Sequence, residues 1–320
     1  MLRNYLLTAW KVFMRRKLFT AINLACIVLT LVVLMVISAL LETAFYPSGV
    51  EGKSERFLQV YGIRSESADR SSMRTTLMGY KAIDQYLKPM KGVERVSAIT
   101  VPSEVSAYQG DRVSQLQLRR VDADYWKILD FELLAGRLPN EDDERNGRLV
   151  AVINASTARQ LFSTAPRHPA AAVGRTVSVG GQAFQVIGVV ADALHVNAFA
   201  DMWAPLSTFP STNYQNEITG SFAALILAHD RADLPRIQRE VERIATTFVT
   251  EDPRTYSKTV FFADSKLDVF ARALLDNQSN ADSGAGTLLT MIGTGMLVFM
   301  LLPALNLINL NTGRILERSS

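Results

Sequence analysis

An uninterrupted apolar segment near the amino terminus places the strongest constraint on this chain. Residues 18–41 contain no Asp, Glu, Lys or Arg. At about 1.5 Å per residue, a helix of this length crosses a hydrocarbon layer of about 30 Å. A cleavable signal peptide would have an apolar core of only about 7–15 residues, ending in a small-residue cleavage site. The segment therefore predicts a retained transmembrane helix at 18–41.

The residues before this segment set its orientation. Residues 1–17 contain five basic residues and no acidic one. Because basic residues beside a span favour the cytoplasmic side, the amino terminus is predicted to be cytoplasmic. Apolar side chains in 1–17 recur at helical spacing, which fits an amphipathic helix at the inner leaflet or a cytoplasmic extension of the span. The residues expected to set this topology are Lys11, Arg15, Arg16 and Lys17.

A second uncharged segment lies near the carboxyl terminus. Residues 284–313 contain no charged side chain, and Arg314 follows directly. This pattern predicts a second transmembrane helix at 284–313, with 42–283 extracytoplasmic and 314–320 cytoplasmic. The chain is therefore expected to be a multi-pass protein of the plasma (inner) membrane with both termini in the cytoplasm. Small residues that permit close packing, and a proline that kinks a helix, occur in this span, although both are common in membrane helices generally. They are Gly293, Gly295 and Pro303.

The distribution of charge argues against a nucleic-acid partner. The chain has 34 Lys and Arg, 31 Asp and Glu, and a formal net charge of +3. Seven basic residues and one acidic residue lie in the two predicted cytoplasmic ends, which leaves 27 basic and 30 acidic residues in 42–283. The positive excess therefore follows from membrane topology. The external region has no basic surplus to bind phosphate backbones.

Motifs for catalysis, cofactor binding and metal binding are absent from the sequence. It has no G-x-x-x-x-G-K-[ST] phosphate loop, no H-E-x-x-H, no G-x-S-x-G elbow and no paired C-x-x-C. Cys26, the only cysteine, lies inside the first predicted span, and His168, His195 and His229 are far apart. We therefore expect no catalytic, cofactor or metal site, and we expect any ATP to be hydrolysed by a partner.

An acidic run at 141–144 admits two interpretations. Hard cations take carboxylate ligands, but a calcium loop alternates its ligands around a glycine turn and ends in a distal Glu. Four consecutive carboxylates therefore favour a solvated loop over a calcium site. Just before the run, Gly136 and Arg137 predict a turn that closes a strand or helix.

The external region shows the same order of elements, strand–helix–strand, on either side of an insertion at about 102–216. The first set is predicted at 56–63, 77–88 and 93–101, and the second at 222–228, 234–248 and 259–262. The insertion is predicted to be mostly β. Its expected elements are strands at 114–120 and 148–153, a short helix at 155–162, and a hairpin of 176–179 with 184–190 across Gly180-Gly181.

Two stretches of the external region resemble a known family. They are residues 121–162, VDADYWKILDFELLAGRLPNEDDERNGRLVAVINASTARQLF, and 172–192, AVGRTVSVGGQAFQVIGVVAD. Both are similar to the extracytoplasmic core domain of MacB-type ABC transporter permeases. Residues 306–320, NLINLNTGRILERSS, resemble the end of the second span in FtsX-like permease domains. The resemblance covers nearly the whole chain.

This resemblance implies an α+β fold in which the two strand–helix–strand halves form a Porter-like module and the insertion forms a Sabre-like subdomain. Permeases of the family have four spans. The present chain stops after the second predicted span, so we expect it to be a truncated product or a fragment. Most of the surface through which a permease contacts its ATPase subunits, and follows their movement, is then expected to be missing.

The resemblance also implies partners. Family permeases work as dimers with two cytoplasmic ABC ATPase subunits, so a homo- or hetero-dimer of permease subunits, an ATPase subunit, membrane lipid and a periplasmic adaptor protein are expected. The residues after the second span are the best candidates for ATPase contact, whereas their charges alone also fit an ordinary cytoplasmic flank. They are Arg314, Ile315, Leu316, Glu317 and Arg318.

Two functions follow as hypotheses. The first is a permease subunit of the mechanotransmission type, which couples ATP hydrolysis by a partner to movement of the external domain. The alternative is a membrane-anchored binding or sensory module without transport activity. Within the family, external domains serve efflux of peptides or antibiotics, lipoprotein release and control of cell-wall hydrolases, and no local residue pattern selects one of these substrates.

Overall fold

The computed structural model describes residues 17–69, 71–110, 112–162, 168–249, 252–278 and 280–301. These residues divide into two compact units. One contains the described residues up to Tyr46 and from Gly284 onward, and the other is Pro47–Ser283. The mixed helix and strand content of the second unit confirms the predicted α+β class.

Helix α1, Lys17–Phe45, contains the first predicted span. Residues Leu24–Glu42 of this helix are long and apolar enough to cross a membrane. The helix has no glycine or proline, and Pro47 follows its end, as expected where a helix terminates. A shorter apolar helix, which we label α8, covers Ala285–Leu301. The rest of the second predicted span lies outside the described residues, so the two-span architecture stays a prediction.

The strands of Pro47–Ser283 pair along one continuous path. The strands are β1 Phe57–Val60, β2 Ile63–Glu66, β3 Met73–Met78, β4 Val93–Thr100, β5 Ser103–Gln109, β6 Arg112–Val121, β7 Leu133–Gly136, β8 Val150–Asn154, β9 Thr176–Val179, β10 Gln182–Val190, β11 Met202–Pro205, β12 Thr219–Gly220, β13 Phe222–Ala228 and β14 Lys258–Val260. Among the described residues their order in the sheet is β11-β8-β10-β9-β5-β6-β4-β13-β3-β2-β14, with β1 beside β13, β7 beside β10 and β12 beside β3.

Strand β13 joins the two predicted strand–helix–strand halves. It pairs antiparallel with β1 and with β4, both from the first half. All seven of its side chains are buried. Alternate side chains belong to different cores, because successive residues of a strand point to opposite faces: Ala224 and Ile226 pack in one core, and Leu225 and Leu227 in another. This explains why the strand is wholly apolar.

Among the described residues, six helices, α2 to α7, lie between α1 and α8. Helix α2 begins as Tyr80–Ala82 and continues as a π-helix at Ile83–Leu87. The others are α3 Tyr125–Ile128, α4 Glu141–Arg145, α5 Ala155–Leu161, α6 Leu234–Thr247 and α7 Lys266–Leu275. Short 3-10 turns such as Gly49–Glu51 occur as well. Helix α6 buries Ile237, Val241 and Ile244, the stripe predicted from its periodicity. A third core, built around Phe184, fills the inserted region.

Several local predictions are confirmed. The hairpin β9–β10 turns at Gly180 and Gly181, which have φ angles of 56° and 79°. A two-residue turn of this kind needs positive φ at both positions, and glycine adopts it without strain. Helix α5 and strand β8 also lie at their predicted positions. The assignment of 102–216 as a separate subdomain stays a prediction.

The predicted helix at 77–88 is wrong at its beginning. Residues 77 and 78 end strand β3, and the helix starts at Tyr80. Gly79 separates the two elements, because its backbone approaches Glu217 so closely that a Cβ would lie 2.0 Å from the Glu217 carbonyl oxygen. The predicted strand at 56–63 is likewise two strands, β1 and β2, interrupted at Tyr61 and Gly62. These boundaries depend on contacts distant in sequence.

Candidate functional site

The structure describes three of the residues predicted to act in topology, packing or coupling. Lys17 is the first residue described in α1 and is exposed. Gly293 and Gly295 lie in α8, where an added Cβ would meet no described atom within 4 Å outside the helix backbone. The described structure brings none of the three together, and their roles stay predictions. The other predicted residues lie outside the described ranges: Lys11, Arg15, Arg16, Pro303, Arg314, Ile315, Leu316, Glu317 and Arg318.

The segments that join the external domain to α1 and α8 carry a polar cluster that the sequence analysis missed. The first linker is 47–56, between α1 and β1, and the second is 261–284, between β14 and α8. We call the residues that tie them the linker cluster. It consists of Glu51, Gln59, Asp264, Lys266, Asp268 and Arg272.

Glu51 anchors the first linker. Although charged, it is only 1% exposed. Its carboxylate accepts a hydrogen bond from Asn197 Nδ2 at 2.9 Å, and its other oxygen lies 2.7 Å from Lys266 Nζ in an ion pair without hydrogen-bond alignment. Lys266 is the first residue of α7, in the second linker. Since a buried unpaired charge costs several kcal/mol, this ion pair strongly favours the arrangement in which the linkers are joined.

The main chain joins the same two segments. The Gln59 amide donates to the Asp264 carbonyl oxygen at 2.8 Å, and the Asp264 amide donates to the Gln59 carbonyl oxygen at 2.8 Å. This isolated antiparallel bridge attaches the second linker to β1. A displacement of either linker would therefore act on strand β1, which pairs with the buried strand β13.

Arg272 organises the second linker. Its Nε donates to Asp264 Oδ2 at 2.8 Å, and the guanidinium carbon lies 4.1 Å from the centroid of the Phe262 ring. The remaining donors reach three main-chain carbonyl oxygens beyond α7. These are the carbonyls of Asn277 at 2.8 Å, Asn280 at 2.7 Å and Ala281 at 3.1 Å. The fixed fork of five N–H donors suits this task, which lysine could not perform.

The start of α7 is tied to the end of the second linker. Ser265 and Asp268 form a capping box, in which each side chain binds the other residue's main-chain amide. Asp268 Oδ1 also accepts a hydrogen bond from Ser283 Oγ at 2.5 Å. Ser283 stands two residues before α8, so the contact reaches almost to the apolar helix.

Burial raises the pKa of the Asp264 carboxyl from 3.8 to about 6, although the nearby Arg272 guanidinium opposes the shift. The charged form of Asp264 is therefore disfavoured by its surroundings and is maintained by Arg272 above this pH. Acidification through about pH 6 protonates Asp264 and weakens its ion pair with Arg272.

A second buried polar cluster lies beside α2. Asp122 is 5% exposed and accepts hydrogen bonds from Ser97 Oγ at 2.6 Å and the Ala98 amide at 2.9 Å. Lys88 Nζ is 3.6 Å from its Oδ2 atom. Glu144 accepts from a main-chain amide nearby at 3.0 Å, and burial, with the Asp122 charge, raises its pKa to about 7. We assign this cluster a structural role, since its hydrogen bonds satisfy the ends of β4 and β6.

The prediction of a solvated loop at 141–144 is wrong. These residues begin helix α4, and Asn140 with Asp143 forms a capping box. The Asp143 side chain is fully buried and receives both terminal nitrogens of Arg137, at 2.5 and 2.9 Å. The Asn at 140 followed three residues later by an acidic side chain is the sequence signal that predicts the cap. Gly136 ends β7 with a φ angle of 77°, so a strand closes at the predicted position.

In the part of the chain that the structure describes, no group of three or more His, Cys, Asp or Glu side chains is placed to hold a metal ion. His168 and His229 are exposed, and the ring of His195 lies 3.3 Å from Ser48 Oγ.

Comparison with known proteins agrees with the resemblance. The family model described as "MacB-like periplasmic core domain" matches residues 20–244. No curated protein sequence matches the chain.

Solved structures match parts of this chain. A domain of a putative permease protein from Porphyromonas gingivalis matches with a TM-score of 0.52 and 15% identity, over 67% of this chain and 90% of that chain. The periplasmic region of MacB from Actinobacillus actinomycetemcomitans matches with a TM-score of 0.48 and 20% identity, over 72% of this chain and 97% of that chain. The extracellular domain of the noncanonical ABC-type transporter YknZ from Gram-positive bacteria matches with a TM-score of 0.47 and 17% identity, over 63% of this chain and 98% of that chain.

Proposed function

This chain belongs to the family of the MacB-like periplasmic core domain, and on that premise we propose that it is a permease subunit of an ABC transporter of the mechanotransmission type. ATP hydrolysis by a cytoplasmic partner would move the membrane helices, and the external domain would follow. The work would be done on a substrate outside the membrane, in efflux or in the handling of envelope lipoproteins or peptides.

One observation carries this proposal. The linkers to α1 and α8 are joined to each other and to β1 by the Glu51–Lys266 ion pair and the Gln59–Asp264 main-chain bridge. A hinge of flexible linkers would dissipate a movement of the helices. Linkers tied through buried charged contacts would instead pass it to the sheet, because separating buried ion-pair partners is costly.

The proposal includes location and partners. The apolar helix α1 supports anchoring in the plasma membrane with 42–283 outside, and the family supports an ABC ATPase partner. We further propose two spans, cytoplasmic termini, a dimer of permease subunits and a periplasmic adaptor. ATP would be bound and hydrolysed by the partner, and the chain would have no catalytic role of its own.

The test measures coupling in the complex. The full chain is purified with the ATPase subunit encoded nearest to it and placed in lipid nanodiscs. Cys26 is replaced by serine, and Glu104, which is exposed on β5, is replaced by cysteine and spin-labelled. The distance between labels on two protomers is measured by pulsed electron resonance without nucleotide and with trapped ATP. We expect the distance distribution to change with nucleotide.

A linker-cluster variant makes this test specific. Lys266→Met leaves Glu51 without its ion-pair partner and should abolish the nucleotide-dependent change while ATP hydrolysis continues. The matched control is Arg243→Met, which removes an exposed ion pair with Glu240 on α6. Equal distance changes in Lys266→Met and in the unmodified chain would contradict the proposed route, and no change in the unmodified complex would contradict mechanotransmission itself.

The alternative, a membrane-anchored binding or sensory module, is favoured by a different observation. Leu194, Val196 and Phe199 are exposed apolar residues on one loop of the external domain, as expected where a partner binds. Failure of the chain to bind the ATPase subunit, with the external domain still folded, would favour this alternative.

A further inference from the structure

A small cavity lies between one loop and the ends of strands in the external domain. Its volume is about 300 Å³, which is the lower end of the range for ligand sites. Most of its wall is apolar and comes from β4, the residues after β4, and the loop that follows β10. The apolar lining includes Ile99, Val101, Pro102, Leu194, Val196 and Phe199.

Arg119 of strand β6 lines this cavity and is 2% exposed. Its Nη2 atom donates to the Val196 carbonyl oxygen at 2.9 Å, whereas its Nε has no hydrogen-bond partner. Among the described residues, no carboxylate lies within the 4 Å of an ion pair with Arg119. The nearby Glu51 is already bound by Asn197 and Lys266.

A buried guanidinium without an opposite charge beside it is unfavourable. Buried charges in proteins are normally paired with an opposite charge, because removing an ion from water without compensation is costly. The buried guanidinium of Arg119, with its unpartnered Nε, therefore suits this cavity to an anionic group.

The loop beside the cavity is unusually apolar for an exposed segment. Leu194 is 87% exposed and Val196 is 70% exposed, and Phe199 is also exposed. These three side chains lie at the cavity, so an occupant could cover them. A buried cation and exposed apolar side chains thus occur at one site. The cation suits a charged end of a ligand, and the apolar side chains suit a hydrophobic end.

We propose that this cavity binds an anionic amphiphile, with its carboxylate or phosphate head group on Arg119 and the first part of its acyl chain against Leu194, Val196 and Phe199. The guanidinium fork matches the two oxygens of either head group. The apolar lining adds affinity with each methylene that leaves water. The head group can belong to a free fatty acid or to a phospholipid. This site does not depend on coupling to an ATPase.

The experiment uses the full chain in nanodiscs of zwitterionic phosphatidylcholine, with a diazirine derivative of octanoate as the probe. After irradiation, mass spectrometry locates the label. We expect saturable labelling of the loop 191–201 that octanoate prevents and octanol, which has the same chain without the charge, does not. Octyl phosphate is the third competitor. For each competitor we measure the half-blocking concentration, at which labelling of the loop falls to half. A lower value for octanoate than for octyl phosphate identifies a free fatty acid as the source of the head group, and a lower value for octyl phosphate identifies a phospholipid. Both results support the site.

Two variants test the geometry. Arg119→Met removes the cation and should raise the half-blocking concentration of octanoate at least tenfold, which corresponds to about 1.4 kcal/mol. Val101→Trp fills the cavity from an exposed position without altering Arg119 and should abolish the labelling, so it decides the matter if Arg119→Met does not fold. Its matched control is Val113→Trp, on the exposed part of β6 outside the cavity. Loop labelling that persists in Val101→Trp, or that octanol prevents as well as octanoate, would overturn the proposal.

Discussion

Replacing Arg272 by methionine should loosen the second linker while leaving the rest of the external domain folded. The substitution keeps an unbranched apolar side chain in place of the arginine stem and removes the guanidinium that stacks on Phe262. It removes the ion pair with Asp264 and the donors to the carbonyls of Asn277, Asn280 and Ala281. Asp264 would then be a buried carboxylate without its guanidinium.

The expected magnitude follows from burial. The side chains of Arg272 and Asp264 are only 8% and 13% exposed. Removing one partner of a buried ion pair costs about 3–5 kcal/mol. A loss of about 3 kcal/mol in the free energy of local opening lowers amide protection by about 10²-fold, since each 1.4 kcal/mol is a factor of ten.

The measurement is hydrogen exchange by mass spectrometry on the full chain in nanodiscs. Peptides covering α7 and 276–283 should lose about 10²-fold protection at pH 8, and peptides from β13 should be unchanged. At pH 5 the loss should be smaller, because Asp264, whose pKa is already raised to about 6, is then protonated. Asp264→Asn in the same chain should recover part of the loss at pH 8.

Arg243→Met serves as the control, because the Arg243 side chain is 64% exposed and its ion pair with Glu240 is solvated. We expect it to change protection in the second linker by less than a factor of three. A change of that small size in Arg272→Met itself would refute the argument that Arg272 holds the linker in place.

Three further predictions concern stability, measured by urea unfolding with tryptophan fluorescence. Glu144 has a folded-state pKa raised from 4.5 to about 7. Its contribution to the free energy of unfolding is therefore fully present below about pH 4.5 and is lost as the pH rises through 7. Glu144→Gln should thus be more stable than the unmodified chain by about 3 kcal/mol at pH 8 and equal to it at pH 4.5, and an equal effect at both values would contradict this. Gly79→Ala should destabilise by about 1–3 kcal/mol, because its Cβ would lie 2.0 Å from the Glu217 carbonyl oxygen. Arg137 holds the pKa of Asp143 below its usual range, so Asp143→Asn should cost about 1–3 kcal/mol at pH 7 and lose this effect in acid, where Asp143 becomes protonated.

Local patterns were sufficient for several elements. Gly180-Gly181 predicted the β9–β10 hairpin, because only glycine enters that turn without strain. The spacing of Ile237, Val241 and Ile244 predicted α6 and its buried face. The apolar run 18–41 predicted a helix, which the structure describes as Lys17–Phe45. In each case the determinant is a property of neighbouring residues, so the sequence alone contains it.

The candidate sites were not predictable in this way. Glu51 and Lys266 are 215 positions apart, and nothing near either residue in sequence marks it as an ion-pair partner. The same holds for Arg119, whose burial results from the loop after β10 folding over β6. The acidic run at 141–144 shows the limit at shorter range, because only Asp143 of the run is fully buried, in an ion pair with Arg137 that the run itself does not indicate.

The apolar helix, the α+β class and the resemblance to the family could be predicted from the residues alone, because these depend on composition, periodicity and consecutive residues. The choice of which charges are buried, and of their partners, is made only when the chain folds. That choice depends on pairing across a sheet, which brings together residues far apart in the chain, and on the loss of water around them, which turns ordinary surface charges into strong and specific contacts.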